Sequence, residues 1–262
     1  MDIAFFDIDN TLTSRDPVTG WGNTISEATA EAIRAFCREG NIALLSTGRA
    51  PQGVPACIQE LPFSGMVAFD GSLALFEGER IYERFIEEED LEAALAVSRA
   101  TGMGILFSGL EGRAFAGNPH DFDWHAETIA DMAGLRKIMP SLEVGKLAFN
   151  VGDLPIYRAS DLLQERFTCY QSAPDYFELV HKGVGKDVAA HALIDAIAAK
   201  KGRPGRVLAF GDSANDIPLL RSVDLPVVMG NGTEDAKGVA AVVTDDVMHD
   251  GVAHALERLG YL

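Results

Sequence analysis

Near its amino terminus the chain reads Ile3-Ala4-Phe5-Phe6-Asp7-Ile8-Asp9-Asn10-Thr11, a short apolar run that ends among carboxylates and turn-forming residues. A run of this length bounded by polar turn residues fits a strand buried on both faces better than a helix. Ile3–Ile8 is therefore expected to be an interior strand that leads into an acidic loop. Working outward, Ser26–Glu39 follows with helical spacing, opened by the cap-like Ser26 and closed by Gly40. Ile42–Ser46 and Val67–Phe69 read as the next two strands. Strand, helix, strand is the signature of a parallel α/β sheet.

The same grammar returns at the carboxyl end, with helices expected at Lys186–Lys200, Asp216–Ser222 and Gly251–Leu259 and strands at Val207–Phe210 and Pro226–Met229. The middle differs. Expected strands Gly104–Phe107, Arg113–Ala116, Lys146–Val151, Phe167–Gln171 and Tyr176–His181 are separated by helical stretches at Asp90–Ala100, Asp121–Ala133 and Ile156–Leu163. Several of these strands adjoin without a helix between them, which suggests antiparallel pairing. The fold expected is α/β, a Rossmann-like core with a mainly parallel sheet formed by residues 1–78 and 182–262. Residues 79–181 are expected to form an inserted α+β domain.

Composition narrows the function. The 262 residues carry 22 Lys+Arg against 39 Asp+Glu, a formal net charge of −17, which disfavours nucleic acid and anionic membrane surfaces as partners. Three widely spaced cysteines do not suggest a disulfide scaffold. Met1–Thr13 lacks the basic and apolar regions of a secretory signal, and no stretch is long and apolar enough to span a membrane. A cytoplasmic protein is expected, with no required protein partner evident.

Ligands of parallel α/β sheets sit at the carboxyl ends of strands, where Asp7 and Asp9 stand. Two carboxylates this close repel unless something cationic holds them, although Asp-x-Asp followed by Asn-Thr also reads as a turn with a helix cap. A second acidic segment, Gly211-Asp212-Ser213-Ala214-Asn215-Asp216, follows another expected strand. If the two strands are neighbours, four carboxylates share one pocket and call for a hard divalent cation, of which Mg²⁺ is the natural choice. Two more segments suit a phosphate: Ser46-Thr47-Gly48-Arg49 offers a hydroxyl, an open backbone and a guanidinium, and Gly183-Val184-Gly185-Lys186 opens a helix with an ammonium. Each alone is commonly structural, and their joint occurrence carries the inference.

In this order the D-I-D-N-T, S-T-G-R, G-V-G-K and G-D-S-A-N-D segments resemble the four motifs of the haloacid dehalogenase superfamily. The insert resembles the type IIB cap of its Cof-type branch, as does Val227-Val228-Met229-Gly230-Asn231-Gly232 the segment after the fourth motif. The resemblance implies a Mg²⁺-dependent phosphatase acting on a small phosphorylated metabolite, foremost a sugar phosphate, through an aspartyl phosphate. It makes Asp7 the nucleophile and Asp9 the acid and base, with Asp7, Asp9, Asp212 and Asp216 holding the metal. Thr47, Gly48, Arg49, Lys186 and Asn215 become the phosphate-binding set, and Asn118, His120 and Trp124 in the insert are candidates for substrate contact. A phosphomutase on the same core, or a phospho-accepting signalling module, uses similar residues. Two positions depart from the branch pattern: Asp187 follows Lys186 where Gly is frequent, and Phe69-Asp70-Gly71-Ser72 replaces an Asn-Gly-Ala turn.

Overall fold

The computed structural model describes residues 1–14, 24–120 and 125–262. Its strands in chain order are β1 (Ile3–Phe6), β2 (Ile42–Ser46), β3 (Gly65–Ala68), β4 (Leu73–Phe76), β5 (Glu79–Glu83), β6 (Ile105–Gly109), β7 (Arg113–Ala116), β8 (Glu127–Thr128), β9 (Val144–Asn150), β10 (Phe167–Ala173), β11 (Tyr176–His181), β12 (Val207–Gly211), β13 (Leu225–Val228) and β14 (Val242–Val243). They form an eight-stranded sheet in the order β14-β13-β12-β1-β2-β3-β4-β5 and a six-stranded sheet in the order β10-β11-β9-β6-β7-β8. The chain divides into two compact units, one of residues Met1–Arg49, Gly53–Glu83 and Gly185–Leu262, the other of Ala50–Gln52 and Arg84–Val184.

In the first unit β1 lies between β12 and β2, parallel to both, with Phe6 opposite Phe210 on one side and Leu45 on the other. All four β1 residues are buried, as expected of a strand covered on both faces. This register brings Asp7, Asp212 and Thr47 out together at the carboxyl ends of three adjacent interior strands, although they are far apart in sequence. Helix Lys186–Lys201 buries Ala189, Ala190, Leu193 and Ile197 with Phe5, Leu44 and Val67. Beneath the opposite face Phe6 stacks on Phe210 at 4.7 Å between centroids and meets Phe36 edge-on. Each such buried side chain contributes roughly 1.5–3 kcal/mol, so the site rests on a rigid floor.

Helix Glu27–Arg38 begins as the sequence predicts, with Ser26 Oγ accepting from Thr29 N. The antiparallel β4–β5 hairpin was not expected. It turns at Glu77-Gly78, where both residues have positive φ (50° and 83°), the backbone a two-residue hairpin turn requires. As a result β5 belongs to the first unit.

The second unit is α+β, and its sheet is antiparallel except for the β7–β8 pair. Its core gathers Leu91, Leu95, Ile105, Phe107, Leu147, Phe149, Leu163 and Leu179. The helix expected at Asp121–Ala133 is not formed over residues 125–131. There Glu127 and Thr128 pair with β7, and the helix runs instead over Met132–Ile138, started by Asp131 accepting from Gly134 N. The helix expected at Ile156–Leu163 is two, Leu154–Ala159 and Asp161–Arg166, because Ser160 is extended and caps the second through its hydroxyl. No helix among the described residues is long and apolar enough to cross a membrane.

Candidate active site

Asp7 is the first residue beyond β1, and its N–H donates to Phe210 O at 3.0 Å. Facing it is Lys186, the first residue of its helix, whose side chain is fully buried. Lys186 Nζ donates to Asp7 Oδ1 at 2.8 Å and to Asp216 Oδ1 at 2.6 Å. The other Asp216 oxygen accepts the backbone N–H groups of Asp212 and Ser213, both at 3.1 Å. Asp216 thus braces the loop that presents Asp212. Carboxylate oxygens of Asp7, Asp212 and Asp216, all buried, lie within 4.8 Å of one another.

One ammonium does not balance three buried carboxylates. Burial, with help from Asp216, Asp212 and Asp9, pushes the Asp7 carboxyl well above its usual range against the opposing pull of Lys186. Burial likewise pushes Asp212 up to about 8, with Asp216 adding to it. For Lys186 burial acts downward, yet Asp216, Asp7 and Asp70 overcome it and hold the amine well above its ordinary value. Both partners of the Asp7–Lys186 contact are therefore driven to keep protons, the mark of a site short of positive charge. Asp212 Oδ1 is buried and has no hydrogen-bond partner among the described residues. An orphaned carboxylate oxygen in an all-oxygen donor set fits a hard divalent cation.

Asp9 sits differently. Arg49 Nε donates to its Oδ2 at 2.8 Å and Nη2 to its Oδ1 at 2.6 Å, a two-pronged contact, while Arg49 Nη1 donates to Gly53 O at 2.8 Å. Thr47 is fully buried and its hydroxyl oxygen accepts from Arg49 N at 3.1 Å, so the hydroxyl proton remains to donate. Gly48 lies between Thr47 and Arg49. Asn215 Nδ2 donates to Asp70 Oδ1 at 2.8 Å, and its Oδ1 accepts from Ser213 Oγ at 2.8 Å.

The fold thus brings Asp7, Asp212, Asp216 and Lys186 into contact, joins Asp9 to Arg49, and sets Thr47 and Asn215 in the loops beside them. The insert candidates lie in the second unit. Asn118 Oδ1 accepts from His120 N, and His120 Nε2 lies 2.9 Å from Asp153 Oδ1 at an angle no ring N–H bridges. Trp124 falls outside the described residues. Three residues outside the expected catalytic, metal and phosphate sets belong to the site's surroundings. Thr11 Oγ1 is buried without a partner among the described residues. Asn231 Nδ2 donates to Asn10 O, and its Oδ1 accepts from Val247 N, tying the acidic loop to its neighbour. Asp70 is the third, and the Asp-Gly turn signal after β3 was its trace in the sequence.

Known proteins resemble this chain over nearly its whole length. The family model described as haloacid dehalogenase-like hydrolase matches residues 4–256. A Bacillus subtilis relative named "Putative phosphatase YkrA" is 25% identical over 99% of this chain and 98% of its own. Among solved structures, BT1666 from Bacteroides thetaiotaomicron, described among phosphatases of the haloalkanoate superfamily, superposes with a TM-score of 0.85 at 21% identity, covering 100% of this chain and 96% of its own. The subclass IIB sugar phosphatase BT4131 superposes with a TM-score of 0.80 at 23% identity, covering both chains fully.

Proposed function

The chain is an enzyme of the haloacid dehalogenase-like hydrolase family, and from that premise we propose that it is a Mg²⁺-dependent phosphatase of a small phosphorylated metabolite, with a sugar phosphate foremost. The observation that carries this reading is the buried triad of Asp7, Asp212 and Asp216 around the Lys186 ammonium, with Asp212 Oδ1 unpartnered among the described residues. The phosphatase name of the Bacillus subtilis relative and the sugar phosphatase activity named for BT4131 support the substrate class.

Asp7, Asp212 and Asp216, with the backbone carbonyl of Asp9, would hold the cation. When bound, it supplies positive charge against the phosphoryl oxygens and the carboxylates. Asp7 attacks phosphorus, the ester P–O bond breaks, and an aspartyl phosphate forms. A carboxylate serves as nucleophile here because cations relieve its repulsion from the phosphate dianion. Asp9 gives its proton to the departing alkoxide, then takes one from the water that attacks phosphorus in the second step. Cleavage of the Asp7–phosphorus bond releases orthophosphate and restores both carboxyls. Lys186, Thr47 and Asn215 donate to the phosphoryl oxygens, and Gly48 keeps the backbone beside them open. The two-pronged grip of Arg49 takes one lone pair on each Asp9 oxygen and leaves the other open, so Asp9 is held in place while it passes a proton.

The test is phosphate release from a panel of phosphorylated sugars, nucleotides and p-nitrophenyl phosphate, with Mg²⁺ and with chelator, beside Asp7→Asn. Metal-dependent release that the substitution abolishes is the expected result. Stable labelling of Asp7 by a phosphodonor without release would instead favour a mutase or signalling role.

A further inference from the structure

Phe69, Asp70 and Gly71 are three successive residues with positive φ, at 51°, 55° and 112°. Asp70 is 1% exposed, and no step of the chemistry above uses its carboxylate. Residues held in sparsely populated backbone regions persist where the surroundings fix them, and they gather at functional sites. The surroundings here are the site itself. Phe69 N donates to Arg49 O at 3.0 Å and Asp70 N to Thr47 O at 3.1 Å. A Cβ on Gly71 would stand 2.2 Å from Gly185 O, so the turn abuts the residue preceding Lys186. The Asp70 side chain completes the set by accepting from Asn215.

We propose that Asp70 is a positioning residue, whose carboxylate fixes which way the Asn215 amide faces and leaves the second Nδ2 hydrogen as a donor to the phosphoryl group. The proposal rests on the phosphatase reading above. An amide has an accepting end and a donating end of nearly equal size, and it turns to suit its partners. A carboxylate only accepts, so Nδ2 must face Asp70. The oxygen end then faces Ser213 Oγ, which donates to it at 2.8 Å. The row Ser213, Asn215, Asp70 therefore runs in one direction, and one of the two Nδ2 hydrogens is left unspent by it. An asparagine at position 70 would accept from or donate to either end, and that direction would be lost.

Three variants test this: Asp70→Asn, Asn215→Asp and the double exchange. Orthophosphate binding is measured by calorimetry with Mg²⁺ present, KM and kcat with p-nitrophenyl phosphate, and thermal melting throughout. Asn adopts positive φ readily, so Asp70→Asn keeps the turn; its expected signature is a rise of about tenfold in both the orthophosphate Kd and KM, with a smaller fall in kcat, as for the loss of one hydrogen bond to a charged group. Asn215→Asp sets two acceptors face to face and lowers the melting temperature. The double exchange restores a donor against an acceptor and recovers that melting temperature, yet position 215 then has no N–H for phosphate, so orthophosphate binding stays weak. Unchanged orthophosphate binding in Asp70→Asn would overturn the proposal, as would wild-type binding in the double exchange. A wild-type protein that neither binds orthophosphate nor releases it would overturn the phosphatase reading itself; the melting cycle would still report the pairing, and no coupling between positions 70 and 215 would overturn that too.

Discussion

One guanidinium holds both carboxylate oxygens of Asp9: Arg49 Nε lies 2.8 Å from Oδ2 and Nη2 2.6 Å from Oδ1. Only a planar fork makes this contact, because an ammonium is a point charge that reaches one oxygen well. On the proposed assignment Asp9 is the acid and base, so the aim of Asp9 is set by Arg49. Arg49→Lys keeps the charge and loses the fork. The expected outcome is a fall of about tenfold or more in kcat/KM for p-nitrophenyl phosphate, about 1.4 kcal/mol of transition-state stabilisation. Wild-type kcat/KM in this variant would show that Asp9 is positioned by other contacts.

Lys186 bridges Asp7 and Asp216 from a fully buried position. Removing one partner of a buried ion pair leaves uncompensated charge, at a cost of about 3–5 kcal/mol. Lys186→Met should therefore lower the melting temperature by roughly 6 °C or more, at the ~2–4 °C per kcal/mol of a chain this size. The loss should be larger with chelator than with Mg²⁺, because a divalent cation offsets the same surplus of carboxylates. Equal losses under both conditions would count against a cation at this site.

Much of this site is legible in the sequence for a simple physical reason. Asp7, Thr47 and Asp212 each follow a short apolar run, and a parallel sheet delivers the carboxyl ends of such runs to one side. The β1–β2 and β1–β12 registers that align them follow from burial on both faces. What is not legible is long-range pairing. The β4–β5 hairpin has little alternation in Glu79–Glu83, and its position at the sheet edge is decided by its pairing with β3. Glu127 and Thr128 carry no strand signal and are drawn into one by β7. Asp70 reads as a turn residue, which it is; its contact with Asn215 spans 145 positions and no local pattern records it. The Arg49–Asp9 fork is hidden in the same way, since both residues stand in motifs but nothing in either motif pairs them.

Gly71 carries a separate test of how the turn after β3 positions Lys186. Its φ is +112°, and a Cβ there would meet the Gly185 carbonyl oxygen at 2.2 Å and the carbonyl carbon at 2.3 Å. Both obstacles are backbone, so neither can swing aside. Gly71→Ala must move the turn or the start of helix Lys186–Lys201. We expect about 2 kcal/mol or more of lost stability, together with a loss of kcat/KM. Mg²⁺ should not repair the stability loss, which distinguishes this steric effect from the electrostatic one of Lys186→Met. Near-wild-type melting in Gly71→Ala would mean the close approach is relaxed in solution.

Asp212 predicts an unusual response to pH. Burial pushes its carboxyl up to about 8, whereas an unfolded chain titrates it near the ordinary value of about 3.9. Between these values the folded state binds more protons than the unfolded state, so this group's contribution to stability falls as pH rises from about 4 to about 8 and is constant beyond. That sign is opposite to the usual salt-bridged aspartate. Replacing Asp212 with Asn removes the ionisable group while keeping its shape. In chelator, Asp212→Asn should therefore melt higher than wild type at pH 8, by about 3 °C or more, and the difference should shrink steadily toward pH 4. With Mg²⁺ present the order should reverse at pH 8, because the ionised carboxylate then has a cation and the amide lacks the charge to match it. Melting curves of the two proteins at four pH values, with and without Mg²⁺, settle the matter. A wild-type protein that melts higher than Asp212→Asn in chelator at pH 8 would show that Lys186 alone satisfies the acidic cluster, and the argument for a cation between Asp7, Asp212 and Asp216 would lose its electrostatic basis.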